Sequence, residues 1–201
     1  MTKNTKVNAA ILIIGNEILS GRTQDTNTST LAIWLNSIGV KVNEVRVIPD
    51  VEKIIVNTLN ILRKENDYVF TTGGIGPTHD DITAESVSKA FGIKYEIHKE
   101  AFKILEAYYN LGEFNEGRQK MVWMPENAVL ILNPTSGAPG FGIGNVFCLP
   151  GVPSILKSML GGLKNRIVGG EPILSLTISL KTVESEIASS LTKVQDQNKD
   201  V

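Results

Sequence analysis

The segment Thr71-Thr72-Gly73-Gly74-Ile75-Gly76-Pro77-Thr78-His79-Asp80-Asp81 holds the densest chemistry in this chain. Glycines placed directly after an apolar run let the backbone adopt positive φ and turn successive N–H groups onto one anion. Thr72 and Thr78 would add hydroxyl donors, and a helix starting near Thr83 would aim its N-terminal dipole at the same charge. The same glycines would equally build a tight strand-to-helix turn with no ligand, and spacing alone does not separate the two. No Gly-Lys-Ser/Thr follows, so this is not the P-loop, and the order G-x-G-x-x-G is absent.

Asp80 and Asp81 would lie beside any phosphate bound there. Carboxylates repel an anion unless a divalent cation stands between them, so the pair points to oxygen ligation of a Mg²⁺-like ion. The plainer role for at least one of them is a helix cap. Asp50, in Ile48-Pro49-Asp50, ends another apolar run and would share that edge, or cap the helix that follows. Gly15-Asn16-Glu17 ends a third run, where Glu17 could accept hydrogen bonds from a ring or ribose or be a solvated loop acid. Asn27 either reads a ligand edge or caps a helix. Ser136-Gly137, in PTSGAPG, is a second anion nest or a flexible loop, and Leu149-Pro150-Gly151-Val152-Pro153 again places N–H groups at a helix start. His79 sits in the same loop, where an exposed histidine usually has no special role. Cys148 reads as a buried core thiol and Trp34 and Trp123 as core; no Ser/His/Asp triad or Cys/His zinc spacing is visible.

These residues need elements to position them. Val7–Ile14, Val40–Ile48, Asp67–Thr72, Val129–Leu132 and Val146–Leu149 read as strands. Between them, helical spacing runs through Leu31, Trp34, Leu35 and Ile38 (capped at Asp25 or Asn27, stopped at Gly39), and through Val51, Ile54, Ile55, Leu59 and Leu62. Thr83–Phe91 is a helix closed by Gly92; Tyr95–His98 is extended; Phe102, Leu105 and Tyr109 share a helix face. Gly112–Trp123 is assigned as helix, and Pro153 opens a helix to about Leu160. This alternation predicts a mostly parallel sheet covered on both faces, with ligands bound beyond the carboxyl ends of its strands. Past Gly169-Gly170, Ile173–Val183 reads as extended and Glu184–Gln195 as helical, a pair too small to stand alone. The chain therefore divides into a domain over residues 1–168 and a strand–helix tail over 169–201.

With 42% hydrophobic and 20% charged residues in 201, the chain can bury a sizeable core. Twenty basic against 21 acidic residues give a net charge of −1, with no basic excess to drive adhesion to nucleic acid. The single cysteine fits a reducing cytoplasm. No apolar run approaches the ~20 residues a membrane span needs, so neither nucleic acid nor membrane is an expected partner.

Taken together, GNEILSGRTQDTN, VIPD, TTGGIGPTHDDIT, APGF and LPGVP resemble the molybdopterin-binding domain of the CinA (competence/damage-inducible protein A) family, related to the MoaB/Mog proteins of molybdenum-cofactor synthesis. The resemblance spans roughly residues 7–165. It implies a three-layer α/β/α sandwich that self-associates as a homo-oligomer. Gly73, Gly74 and Gly76 then match a phosphate or pterin loop, Asp50 and Asp81 match the two acids of Mog-type pterin adenylylation, and Ser136 and Gly137 fall in a loop lining the same pocket. In CinA-like proteins the domain is associated with metal-dependent hydrolysis of ADP-ribose and similar pyrophosphates. The resemblance thus implies a phosphate-bearing small molecule as ligand, a divalent metal (Mg, Mn or Co), and molybdopterin as a further candidate ligand. A pterin- or nucleotide-binding module without turnover and a Mog-like adenylyltransferase are the alternatives. The family's separate deamidase domain has no room here, and Glu184-Ser185-Glu186-Ile187 resembles the start of its small KH-like module.

Overall fold

The structure is a computed structural model that describes residues 7–172 and 176–198. In its first strand, β1 (Val7–Ile14), six consecutive residues are buried, as a strand covered on both faces requires. Alternate side chains go to opposite sides: Ala10, Leu12 and Ile14 enter one apolar cluster, Ala9, Ile11 and Ile13 the other.

The chain continues through α1 (Asn16–Leu19), α2 (Asn27–Ser37), β2 (Val40–Ile48), α3 (Glu52–Glu65), β3 (Tyr68–Thr72), α4 (Thr83–Phe91), β4 (Tyr95–Ile97), α5 (Lys99–Tyr108) and α6 (Glu116–Gln119). A 3-10 turn at Lys120–Val122 leads to β5 (Trp123–Pro125), β6 (Val129–Ile131), β7 (Gly140–Ile143), β8 (Val146–Leu149), α7 (Pro153–Leu163) and α8 (Glu184–Gln197). Six strands form one sheet in the order β2-β1-β3-β8-β7-β6, and β4 and β5 pair separately. The first four of the six run parallel, and β7 is antiparallel to both its neighbours.

Helices cover both faces. Ile55, Leu59 and Leu62 of α3, Val87 of α4 and Leu105 of α5 pack on one. Leu31 and Leu35 of α2 and Leu156, Met159 and Leu163 of α7 pack on the other. This is the three-layer sandwich with a mostly parallel sheet. Because Ile14 lies opposite Ile48, Ile13 opposite Thr72, and Thr72 opposite Leu149, the four parallel strands all end on one edge.

Several sequence expectations need correction. Gly112–Trp123 is not one helix: only Glu116–Gln119 is α-helical, and Trp123 begins β5. β7 lies within NPTSGAPGFGIG, the segment between two expected strands, with no strand expected in it; its two glycines in four residues hide a strand that Phe141 nonetheless anchors in the core. Trp123 is 38% exposed, its ring tilted against Tyr95 rather than enclosed, whereas Trp34 packs edge-on against Phe70. Of the extended stretch Ile173–Val183, residues 173–175 lie outside the described residues and 176–183 form no strand. The helix after it is present as α8, which buries no residue. Before that, Gly170 N–H donates to Gly39 O and Val168 N–H to the Tyr68 hydroxyl, fastening the end of α7's connection to the opposite edge of the sheet. Among the described residues no helix is long and apolar enough to cross a membrane.

Candidate active site at the strand ends

The turn after β3 is built on two glycines. Gly73 has φ +99°, and a Cβ there would stand 2.1 Å from Ile14 O. Gly74 has φ +68°, and a Cβ would stand 2.2 Å from Thr83 Oγ1. L-residues rarely adopt such φ, and neither site has room for a side chain, so the close approach of β3, β1 and α4 depends on both. Gly73 N–H donates to Leu149 O, Thr83 N–H to Gly74 O, and Thr83 Oγ1–H to Gly73 O. Among the described residues, the amides of Gly74, Ile75 and Gly76 have no protein acceptor. These three residues line a cleft of about 530 Å³, shared with Glu17, Pro77, Asp81, Ser136 and the Pro150–Pro153 turn. Three N–H groups without a protein acceptor, on consecutive residues lining one cleft, are available to an acceptor with several lone pairs.

Glu17 and Asp81 line the cleft, and Asp50 feels the charges of Glu17 and Asp80. Asp81 Oδ2 accepts from Thr78 N–H at 2.7 Å and from the Thr78 hydroxyl, which also reaches Asp80 Oδ1 at 2.6 Å. Thr78's hydroxyl holds the Asp80 carboxyl below the usual carboxylate range. Neither acid caps α4, whose N-cap is Ile82 with no side-chain bond. Asp50 does not cap α3 either: its Oδ2 accepts from Asn16 N–H at 2.8 Å. Burial pushes the Asp50 carboxyl up, the Asn16 N–H pulls the other way, and the charges of Glu17 and Asp80 add to the rise. Among the described residues no three His, Cys, Asp or Glu side chains close on one point as a dedicated metal cage would.

Asn27 belongs to the site's framework. Only 6% exposed, it donates through Nδ2 to Thr72 Oγ1 and to Gly151 O, both at 2.8 Å, so α2, β3 and the turn after β8 are tied together. The cap at this helix start comes from Asp25, whose Oδ1 accepts from Asn27 N–H at 2.9 Å. Asn27 and Thr72 line a smaller recess that adjoins the cleft and shares Glu17, Gly73 and Gly151 with it.

The remaining expected residues divide. Gly15 lies under the Glu17 carboxylate and donates its N–H to Ile48 O. Ser136 lines the cleft, but Gly137 faces the Tyr108 ring, 2.7 Å from where its Cβ would be, and packs against α5 instead. Asn16, Pro77, Thr78, His79 and Asp80 are exposed. Cys148 is fully enclosed, and burial pushes its thiol up to about 12, which keeps it unreactive.

Two contributors were missed in the sequence. Asn133 shapes the turn before β7: its Oδ1 accepts from Thr135 and Ser136 N–H, and its Nδ2 donates to Ser136 Oγ and Ala138 O. An Asn-Pro-Thr-Ser run is a turn signal that could have found it. Lys120, on the 3-10 turn, donates through Nζ to the carbonyl of Thr78 in the glycine-rich loop, 42 residues away in sequence. No motif announces that contact.

Comparison with known proteins agrees with this architecture. The family described as probable molybdopterin binding domain matches residues 10–168. A protein of Archaeoglobus fulgidus is 35% identical over 191 residues, covering 95% of this chain and 82% of its own length. The crystal structure of CinA, with unknown function, from Thermoplasma acidophilum superposes with a TM-score of 0.73 at 32% identity, covering 79% of this chain and 98% of that one. The tungsten cofactor synthesizing protein MoaB from Pyrococcus furiosus shares the fold, with a TM-score of 0.52 at 20% identity over 81% of this chain and 92% of that one. The chain belongs to the molybdopterin-binding domain family and is similar to its CinA branch.

Proposed function

We propose that the domain hydrolyses a pyrophosphate bond in a nucleotide such as ADP-ribose, with a divalent cation (Mg²⁺, Mn²⁺ or Co²⁺) carried in on the ligand's phosphates. The observation that carries this reading is the set of amides at Gly74, Ile75 and Gly76 without a protein acceptor, on residues that line a cleft together with Glu17 and Asp81, with Asp50 in electrostatic reach of Glu17 and Asp80. These donors suit phosphate oxygens, while the acids would repel a bare phosphate and favour one that arrives with a cation. Mg²⁺ commonly uses one or two carboxylates together with ligand phosphates and water, so dispersed acids suit it better than a closed cage would. When bound, the cation would neutralise charge on the phosphates.

The chain's own residues would do the rest. The three amides orient a phosphate. Asp50, raised by burial and neighbouring acids, takes a proton from water through Oδ1 while Asn16 holds Oδ2. The water oxygen bonds to phosphorus as the bridging P–O bond breaks, giving AMP and ribose 5-phosphate from ADP-ribose. Incubation with ADP-ribose and each metal should release AMP, and Asp50→Asn should slow release by about 10²–10⁴-fold. Undiminished AMP from Asp81→Ala or Asp50→Asn would remove the mechanism.

A second reading, a pterin or nucleotide carrier without turnover, draws support from Asp81, whose Oδ2 is already engaged by Thr78 N–H. Calorimetry against molybdopterin precursors and ADP-ribose separates the two, since tight binding with no product over hours fits only the carrier. Mog-like adenylylation would instead require ATP and a pterin together. Self-association belongs to the same proposal: Ile33 on α2 stands 71% exposed beside an apolar groove shared with Trp34 and Leu160, and sedimentation would report a monomer if that face is idle.

A further inference from the structure

We propose that Lys120 is the cation of the phosphate subsite: at rest its ammonium is parked on the Thr78 carbonyl, and on binding it moves to a ligand phosphate oxygen. The inference rests on the reading of the cleft as a phosphate site, and adds to it a residue that no motif marks. Its grounds are the placement of charge. Among the described residues no lysine or arginine lines the cleft itself, whereas Glu17 and Asp81 do, and Asp50 feels Glu17 and Asp80. Lys120 stands behind the same loop, in a small recess that shares Ile75, Gly76, Asp81 and Met121 with the cleft. Its charge is already felt by Asp80.

The anchoring of Lys120 suits a moving arm. The 3-10 turn that bears it is fixed by Val122, which is fully buried and whose carbonyl accepts from His98 N–H at 2.8 Å. The base is therefore rigid, and the four-carbon stem carries a compact charge able to exchange one oxygen acceptor for another. A carbonyl is a weaker partner for an ammonium than a phosphate oxygen, so an arriving phosphate would win the exchange. Leaving Thr78 also frees the Gly76–Asp81 loop to settle around the ligand.

The test uses the full chain and two probes, ADP-ribose and inorganic pyrophosphate, each titrated calorimetrically with Mg²⁺ present, alongside adenosine as an uncharged control. Lys120→Met should weaken both phosphate probes at least tenfold and flatten the salt dependence of their affinity, leaving adenosine unaffected; Lys120→Arg should recover most of the loss. A merely structural lysine would not change the salt dependence. Unchanged affinity in Lys120→Met, or an equal loss for adenosine, overturns the proposal. Lys120-dependent pyrophosphate binding without AMP release would sink the hydrolase and leave this subsite standing. A protein that binds neither phosphate probe sinks both.

Discussion

Asp50 Oδ2 accepts a hydrogen bond from the backbone N–H of Asn16 at 2.8 Å, across 34 residues of sequence. The bond joins the end of β2 to the first turn after β1, and sets a carboxylate near Glu17 and Asp80 that water alone would not keep there. Burial and these like charges raise the Asp50 carboxyl above its ordinary 3.8. Between that value and the raised folded one, the native state holds more protons than the unfolded state. Stability contributed by this group therefore falls as pH rises through the window and stays lower above it. Asp50→Asn keeps an oxygen for Asn16 and removes the charge. Its melting temperature should match the wild type's below about pH 3.8 and exceed it at neutral pH. Thermal unfolding at a series of pH values measures this; a variant less stable than wild type at pH 7 would show that the charged form is favoured instead.

The turn after β3 makes a sharper demand. A methyl group on Gly73 would meet Ile14 O at 2.1 Å, a backbone atom of the central strand that cannot step aside, and it would do so at φ +99°. Gly73→Ala should cost about 2 kcal/mol or more, combining steric conflict with an unfavourable backbone. Gly21, also at positive φ but with nothing within 4 Å of its Cβ position, isolates the backbone contribution. Urea unfolding of both alanine variants should rank Gly73→Ala as clearly the more damaging. Equal losses would mean that contact with β1 is unimportant.

What could be read in advance follows from which signals are local. β1, β3 and β8 are largely apolar or β-branched runs and β2 interleaves valines with polar residues, so their presence and parallel arrangement were legible, and with them the shared edge that collects Glu17, Asp50 and Gly73–Gly76. β5 and β7 were not, because Pro125 in one and two glycines in the other mask the strand pattern and each pairing depends on a partner elsewhere: Trp123 on Ile97, Phe141 on Cys148. The glycine loop announced itself, yet which of its amides stay unused is decided by Leu149 and Asp81, whose contacts no spacing reveals. Gly137 shows the reverse case, a residue with the right chemistry that tertiary packing turns toward Tyr108. Lys120 shows the limit most plainly, since it reaches Thr78 only once α5, α6 and the 3-10 turn have folded back over the sheet's end.

Asn27 lets the framework be tested apart from the chemistry. Its Nδ2 is the donor for both the Thr72 hydroxyl oxygen and the Gly151 carbonyl, and the side chain is buried. Asn27→Leu preserves approximate size but leaves both acceptors without that donor, which should cost about 1–3 kcal/mol. Asn27→Asp should be worse at neutral pH, because a buried carboxylate would face a carbonyl oxygen and offer it no hydrogen. On acidification the two variants should diverge. Once protonated, the carboxyl introduced by Asn27→Asp regains one O–H that can donate to Gly151 O, so its folded-state pKa must lie above the unfolded value. The deficit of Asn27→Asp relative to wild type should then shrink as pH falls through that raised value, whereas Leu has no titrating group and its deficit should stay level. Chemical unfolding of the three proteins between pH 4 and pH 8 would distinguish these behaviours. Parallel pH profiles for Asn27→Asp and Asn27→Leu would mean that the bridge to Gly151 contributes nothing.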